Sequence, residues 1–193
     1  MAAYFGITGT PGTGKKTLAP LVAAELRVPC LGLNDLARDF NLVRRKKGDA
    51  EVDAAELGRR VSTSVTAPCL LYGHLLPFAF GREAFSKVVV LRCDPRTLKR
   101  RLAERGYGGE KIAENVVAEL IGVISSESVA AFGRARVTEV DTSRGSIPAA
   151  VDAVTKCLKR AEGGRAPVDW MGSYDSAAKL RSLLGPRTPS ALT

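Results

Sequence analysis

At 193 residues, with 45% apolar side chains, 29 Lys and Arg against 20 Asp and Glu, and a net charge of +9, the chain suits one globular domain with a sizeable core and a basic surface. Pro and Gly follow no short period and apolar clusters recur along the whole length, which excludes collagen-like, mucin-like and wholly disordered chains. No window holds eighteen uncharged apolar residues and a Gly-rich turn begins at Gly9, so neither a membrane span nor a signal peptide is expected, and the expected location is cytoplasmic.

Residues 3–8 read as a short strand, followed at once by the glycine turn and by a helix over 15–26 whose Leu18, Leu21, Val22 and Leu26 recur at helical spacing. Cys30 to Leu33 form a second apolar run, after which Asn34 and Asp35 are placed to cap a short helix through Phe40. Arg44 to Asp49 read as a polar connection, and Val52, Ala55, Leu57 and Val61 mark the next helix. Pro68 to Tyr72 read as a buried strand ending at Gly73-His74, and Lys87 to Leu91 as the clearest strand, because β-branched side chains suit a sheet. Asp94-Pro95 is a favourable helix start: the carboxylate accepts orphan amide hydrogens, and Pro at the first position gives up no helical bond. One long helix is expected from Glu110 to Phe132, a fifth strand over 137–140 and a further helix over 148–158. Five strands alternating with helices predict an α/β fold, a parallel five-stranded sheet flanked by helices on both faces.

Cys30, Cys69, Cys93 and Cys157 are far apart and form no CxxC pair, so they are expected as buried thiols, neither a zinc site nor a disulfide framework. Composition shifts at Glu162 to Pro167, which reads as a Gly/Pro hinge. Val168, Trp170, Tyr174, Leu180, Leu183 and Leu184 beyond it carry enough apolar surface to dock, so 162–193 is expected to be a docking tail on a domain of residues 1–161.

Gly9-Thr10-Pro11-Gly12-Thr13-Gly14-Lys15 has the spacing of a phosphate loop, in the required place between a strand and a helix. Its glycines permit tight turns that aim amide hydrogens at an anion, Lys15 adds a mobile positive charge, and the helix that follows adds its positive end. The usual hydroxyl after that lysine, which would meet magnesium, is replaced by Lys16, whose ammonium cannot coordinate a metal. Thr17 is the adjacent candidate, reaching the metal only if the first helical turn shifts, since neighbouring side chains leave a helix about 100° apart.

The chain resembles the adenylate kinase isoenzyme 6 family, also described as Fap7-like or coilin-interacting nuclear ATPase proteins, in its archaeal form. The phosphate loop, Asp35 to Arg38, Tyr72-Gly73-His74, Leu91 to Pro95, Arg100 to Tyr107 and Glu114 to Glu119 carry the likeness across the first 160 residues, and Val168-Asp169-Trp170 adds a short tail motif. The resemblance implies a P-loop nucleoside monophosphate kinase fold with a monophosphate-binding arm at about 32–60 and a short lid at about 104–114. It implies phosphoryl transfer from ATP to AMP or a related monophosphate, ATP hydrolysis, Mg2+ as cofactor, and a part in small-ribosomal-subunit maturation through ribosomal protein uS11 and pre-rRNA.

Carried over by motif, Gly12, Thr13, Gly14, Lys15, Lys16 and Thr17 surround the ATP phosphates, and Arg105 approaches them from the lid beside Gly106 and Tyr107, with Arg100 and Arg101 near. Asp35 and Arg38 meet the monophosphate, Arg38 because a guanidinium grips two oxygens at once, a solvated arginine being the alternative. His74 stands at the carboxyl edge of the sheet, to orient water or couple nucleotide state to motion. Tyr72 occupies the motif's carboxylate position, and a neutral phenol cannot replace an ionised Asp in a magnesium-bound water network. With Lys16 that makes two altered magnesium positions, so a catalytically weak, ATP-sensitive assembly factor is the alternative function. Arg44-Arg45-Lys46-Lys47 offers rRNA phosphates a basic run or is simply a solvated connection, and only 6% aromatic residues argue against base stacking.

Overall fold

The strand Phe85–Arg92 buries Val88 and Val90 among one set of apolar side chains and Val89 and Leu91 among another, with all four fully buried. A strand with two covered faces belongs in the middle of a parallel sheet with helices on each side. The computed structural model of the chain describes residues 4–46, 49–66, 68–159 and 167–184.

In chain order the elements are β1 (Tyr4–Thr8), α1 (Lys15–Leu26), β2 (Cys30–Gly32), α2 (Leu33–Asp39), β3 (Val43–Lys46), β4 (Asp49–Val52), α3 (Ala54–Ser64), β5 (Leu70–Tyr72) and α4 (Leu76–Ala79). They continue with β6 (Phe85–Arg92), α5 (Pro95–Glu104), α6 (Gly109–Leu120), α7 (Val123–Phe132), β7 (Val137–Asp141), α8 (Ile147–Lys159), α9 (Trp170–Ser173) and α10 (Ala177–Leu184). The main sheet has five parallel strands in the order β2-β5-β1-β6-β7. Central β1 sets Ile7 opposite Tyr72 on one side and Val89 on the other, so the loop after β1 leaves the sheet at its carboxyl edge, beside the ends of β5 and β6.

One core layer gathers Leu33, Leu57, Leu71, Val88, Val90 and Phe132 under α2, α3, α4 and α7, and the other gathers Ile7, Leu18, Val22, Val89, Leu91 and Val154 under α1 and α8. Each such buried side chain contributes about 1.5–3 kcal/mol. Tyr4, Phe80, Phe85 and Phe132 extend the first layer as a run of tilted and edge-on rings with centroids 5.1–6.4 Å apart. All four cysteines are free; Cys69, Cys93 and Cys157 are buried as expected, whereas Cys30 is only half-buried.

Several local expectations are corrected. The connection at 44–49 is an antiparallel hairpin of β3 and β4, with Arg44 opposite Glu51 and Val43 opposite Val52. Opposite charges across a solvated pair stabilise strands that charge alone makes look like a loop. Lys47 and the side chains of Arg45 and Lys46 lie outside the described residues, and of the basic run only the Arg44 side chain is placed, exposed to solvent. Helix α2 is capped by extended Gly32, not by Asn34 or Asp35, because Leu33 is already drawn fully into the core as the first helical residue. The long helix over 110–132 is two helices bent by 54°, broken where Gly122 takes a left-handed conformation (φ 70°). Most of the hinge at 162–167 lies outside the described residues. Beyond it, Tyr174 and Leu183 bury themselves against Val116 and Leu120 of α6 in the same chain.

Candidate active site

The segment from Gly9 to Gly14 joins the carboxyl end of β1 to the amino end of α1, and its backbone is fixed by its surroundings. Gly9 adopts φ 139°, and a Cβ there would stand 2.3 Å from the Leu91 carbonyl oxygen; Gly12 adopts φ 95°, with Leu98 Cδ1 of α5 2.6 Å from where its Cβ would be. Only glycine takes both the dihedral and the contact. The Thr13 hydroxyl donates to Thr10 O (2.9 Å), and the Thr10 hydroxyl donates to Glu119 Oε2 of α6 (2.5 Å). Lys15 Nζ turns back over the loop to Gly9 O (2.5 Å) and Thr10 O (2.9 Å). Burial lowers the Lys15 ammonium to about 7, the Glu119 carboxylate opposing that shift and the Arg105 guanidinium adding to it. Helix α1 has neither a capping side chain nor an acidic residue in its first turn, so its amino end keeps its positive character for an anion.

A cavity of about 280 Å³ opens over this loop, with Gly12, Thr13, Gly14 and Thr17 on one wall, Arg101 and Arg105 on a second and Arg144 to Ile147 on a third. Arg101 is fixed in its wall: Nη2 donates to Thr142 O (2.8 Å) and Nη1 reaches Cys93 Sγ (3.3 Å), while the Thr142 hydroxyl stands 2.9 Å from Thr13 O. Arg105 ends α5 and is exposed, and Gly106 (φ 75°) turns the chain toward α6. Arg100 leans toward Glu104 (3.8 Å) in solvent, and neither it nor the 40% exposed Tyr107 lines the cavity. Lys16 is exposed outside the lining, whereas Thr17, also exposed, is part of it.

A second cavity of about 330 Å³ lies on the other side of β5, lined by Asn34 and Arg38 of α2, Val43 and Val52 of the hairpin, and His74 and Leu75. Arg38 pairs with Asp35 one turn away, their side chains 63% and 50% exposed, a geometry worth little in stability and open to exchange for a ligand. His74 is held neutral, lowered to about 4 by burial and then by the charge of Lys15. The imidazole lining the second cavity thus feels the ammonium folded over the phosphate loop, and the structure brings Lys15, His74 and Arg105 to one carboxyl edge with Asp35 and Arg38 across from them. At pH 7 such an imidazole can orient a water or a phosphate oxygen by hydrogen bonding, and is a poor general base.

The residues present do not fit a Mg2+ ion coordinated by the protein. Lys16 presents an ammonium to solvent, and Tyr72 presents a phenol whose pKa is raised by burial and then by the nearby Asp35. The Tyr72 hydroxyl and Asp35 carboxylate converge over Gly32, where a Cβ would lie 2.9 Å from Oη and 2.7 Å from Oδ2. Among the described residues no group of three or more His, Cys, Asp or Glu is placed to hold a metal. Thr17 offers a neutral hydroxyl at the loop's helix end, beside the cavity.

Sequence reasoning missed the residues that hold the loop. Arg92 of β6 is 3% exposed, and its Nε donates to Glu119 Oε1 (2.8 Å) while its Nη1 donates to Glu139 Oε2 of β7 (3.0 Å). Arg92 and Glu119 both fall inside recognisable segments, yet 27 residues separate them, and no local spacing announces the pair.

A glycine loop between the first parallel strand and its helix, with a lysine folded over it and arginines on the facing wall, defines a P-loop protein of the kinase type. Among solved structures, shikimate kinase from Bacteroides thetaiotaomicron shares the fold with a TM-score of 0.52 at 17% identity, covering 82% of this chain and 99% of its own. A gluconokinase from Sinorhizobium meliloti 1021 shares it with a TM-score of 0.50 at 16% identity, covering 81% and 91%. Residues 6–122 match the AAA domain family, and the chain belongs to it. It belongs equally with archaeal proteins bearing the name "Putative adenylate kinase": that of Thermococcus kodakarensis is 34% identical over 88% of this chain and 93% of its own length, and that of Natronomonas pharaonis is 38% identical over 90% and 98%.

Proposed function

We propose that the protein is an adenylate-kinase-type enzyme, transferring the terminal phosphoryl group of ATP to AMP or a related nucleoside monophosphate. One observation carries the reading: two cavities, one over the phosphate loop and one beside Arg38, flank Lys15 and His74 along the carboxyl edge of the sheet. In the reaction an oxygen of the monophosphate attacks the γ-phosphorus of ATP and the bond from that phosphorus to the bridging oxygen breaks. ADP leaves from the donor side and the acceptor's diphosphate, a second ADP when AMP is the acceptor, from the other. The monophosphate itself is the nucleophile, so the protein's task is alignment and charge stabilisation. Gly12, Thr13, Gly14 and Thr17 cradle the donor phosphates with Lys16 at their rim, Lys15 and Arg105 stabilise charge on the transferred group, and Asp35 and Arg38 orient the acceptor. Water in place of the acceptor gives ATP hydrolysis. The cellular setting proposed is cytoplasmic.

The test follows ATP, ADP and AMP together as magnesium is titrated. ADP formation from ATP plus AMP, well above that from ATP alone and lost in Arg105→Ala, supports the reading; no AMP-dependent ADP at any magnesium concentration overturns it.

Lys16 and Tyr72 favour a second reading, in which the protein binds ATP but transfers phosphoryl groups weakly, as a nucleotide-sensitive factor in small-ribosomal-subunit assembly. The likeness to the isoenzyme 6 family, with its uS11 and pre-rRNA partners, and the charge of +9 support it. It expects ATP-dependent binding of uS11 or pre-rRNA without AMP turnover. The double substitution Lys16→Thr and Tyr72→Asp then raises turnover above the parent; no gain counts against it.

A further inference from the structure

Arg92, Glu119 and Glu139 form a charged cluster at the heart of the molecule, and a buried guanidinium between two acids is tolerable only if nearly every polar atom finds a partner. Within the body, Glu119 Oε1 accepts from Arg92 Nε and from the Cys93 amide (3.0 Å), Glu119 Oε2 accepts from the Thr10 hydroxyl, and Arg92 Nη2 donates to Glu119 O (2.8 Å). Arg92 Nη1 also donates to Ser125 Oγ of α7 (3.3 Å), and three further partners come from beyond the hinge. The Val168 amide donates to Glu139 Oε2 (2.7 Å), Val168 O accepts from Arg92 Nη1 (3.2 Å), and the Trp170 indole N–H donates to Glu119 Oε1 (3.3 Å). Further along, the Tyr174 hydroxyl donates to Asp94 Oδ2 (3.0 Å) while the other oxygen of Asp94 caps α5, and Lys99 Nζ of α5 donates to Leu183 O (2.6 Å).

We infer that the segment from Val168 to Leu184 is a positioning element of the phosphate site, its Val168 and Trp170 completing the network through which Glu119 holds Thr10. The inference rests on reading Gly9 to Lys15 as a phosphate loop, and goes beyond it by making phosphate binding and tail docking reciprocal. Undocking removes two donors and an acceptor from three buried charged groups, admits water to them, and frees Glu119 from the geometry in which it meets Thr10. A ligand that needs the loop in its observed shape accordingly favours the docked tail, and α5, which carries Arg101 and Arg105 to the cavity, is held by the same segment.

Trp170 is the chain's single tryptophan, so its emission reports the contact directly. In the full-length protein, titration with ATP, and separately with inorganic tripolyphosphate, which does not absorb near the indole, is expected to change Trp170 emission saturably. The midpoint should match the dissociation constant from calorimetry. Thr10→Val removes the hydroxyl that Glu119 accepts and is expected to weaken ATP binding about tenfold while abolishing the emission response; Thr10→Ser restores both. Trp170→Phe keeps an aromatic ring, smaller than the indole, but loses the N–H, and calorimetry is expected to find weakened ATP binding there too. ATP binding that leaves Trp170 emission unchanged, or parental affinity in both Thr10→Val and Trp170→Phe, overturns this inference alone. Absence of any ATP or tripolyphosphate binding overturns it together with the phosphate-loop reading, so the two failures are distinct.

Discussion

On the phosphate-loop side of the sheet edge, Thr10, Thr13, Lys15 and Arg101 are each tied to protein partners at 2.5–3.3 Å, and Gly9 and Gly12 sit where no side chain would fit. On the arm side, Arg38 and Asp35 are more than half exposed or nearly so, and the hairpin carrying Val43 and Val52 lies outside the five-stranded sheet. The first region is held by protein partners throughout; the second presents its charge to solvent. Under the proposed phosphoryl transfer, this division suits a preorganised grip on the donor phosphates beside an acceptor side open to solvent.

Substitutions should therefore separate the two regions by kind of effect. Lys15→Ala removes the ammonium at the centre of the preorganised half and is expected to lower ADP formation about 100- to 1000-fold, measured by initial rates at saturating ATP and AMP. Gly9→Ala places a methyl against the Leu91 carbonyl in a left-handed backbone and is expected to destabilise the fold by about 2–3 kcal/mol, read from urea denaturation. Arg38→Ala is expected to raise the KM for AMP about tenfold, leave the KM for ATP unchanged, and shift stability by no more than about 0.5 kcal/mol, because its pair with Asp35 is solvated. If Arg38→Ala instead lowers stability as much as Gly9→Ala does, the contrast between a rigid and an open half is broken.

The same division separates what the sequence could and could not reveal. Seven consecutive residues and the strand and helix around them announce the phosphate loop, since amide groups and a lysine grip an anion over a short stretch of chain. The sheet was equally legible, because Val88, Val89 and Val90 declare a strand buried on both faces. The support beneath the loop was hidden: Arg92, Glu119, Glu139 and Trp170 meet only through the fold, and an isolated Arg or Glu in sequence looks like surface. The hairpin was hidden for the opposite reason, its Arg44–Glu51 pairing being a property of register and not of composition. Periodicity ran straight through Gly122, where a left-handed turn divides α6 from α7 without disturbing the apolar spacing on either side.

The smallest effect gives the sharpest comparison, because it counts protons. In the free protein Lys15 is lowered to about 7 by burial, well below the value it has in the unfolded chain. Between pH 7 and about 10.5 the unfolded chain holds a proton that the folded one lacks, so this group makes folding more favourable as pH rises through that window. Phosphate oxygens favour the ammonium, and binding must return the proton: about half a proton per ATP taken up at pH 7, and nearly one at pH 8. Affinity for ATP should correspondingly weaken as pH rises above 7. His74, lowered to about 4, stays neutral throughout, so AMP binding at pH 8 should exchange no comparable proton. Calorimetry in buffers of different ionisation enthalpy measures both, and Lys15→Met should erase the uptake with ATP. Equal uptake with ATP and AMP would mean that Lys15 serves both cavities, and that the boundary between the two regions runs through Arg38 instead of His74.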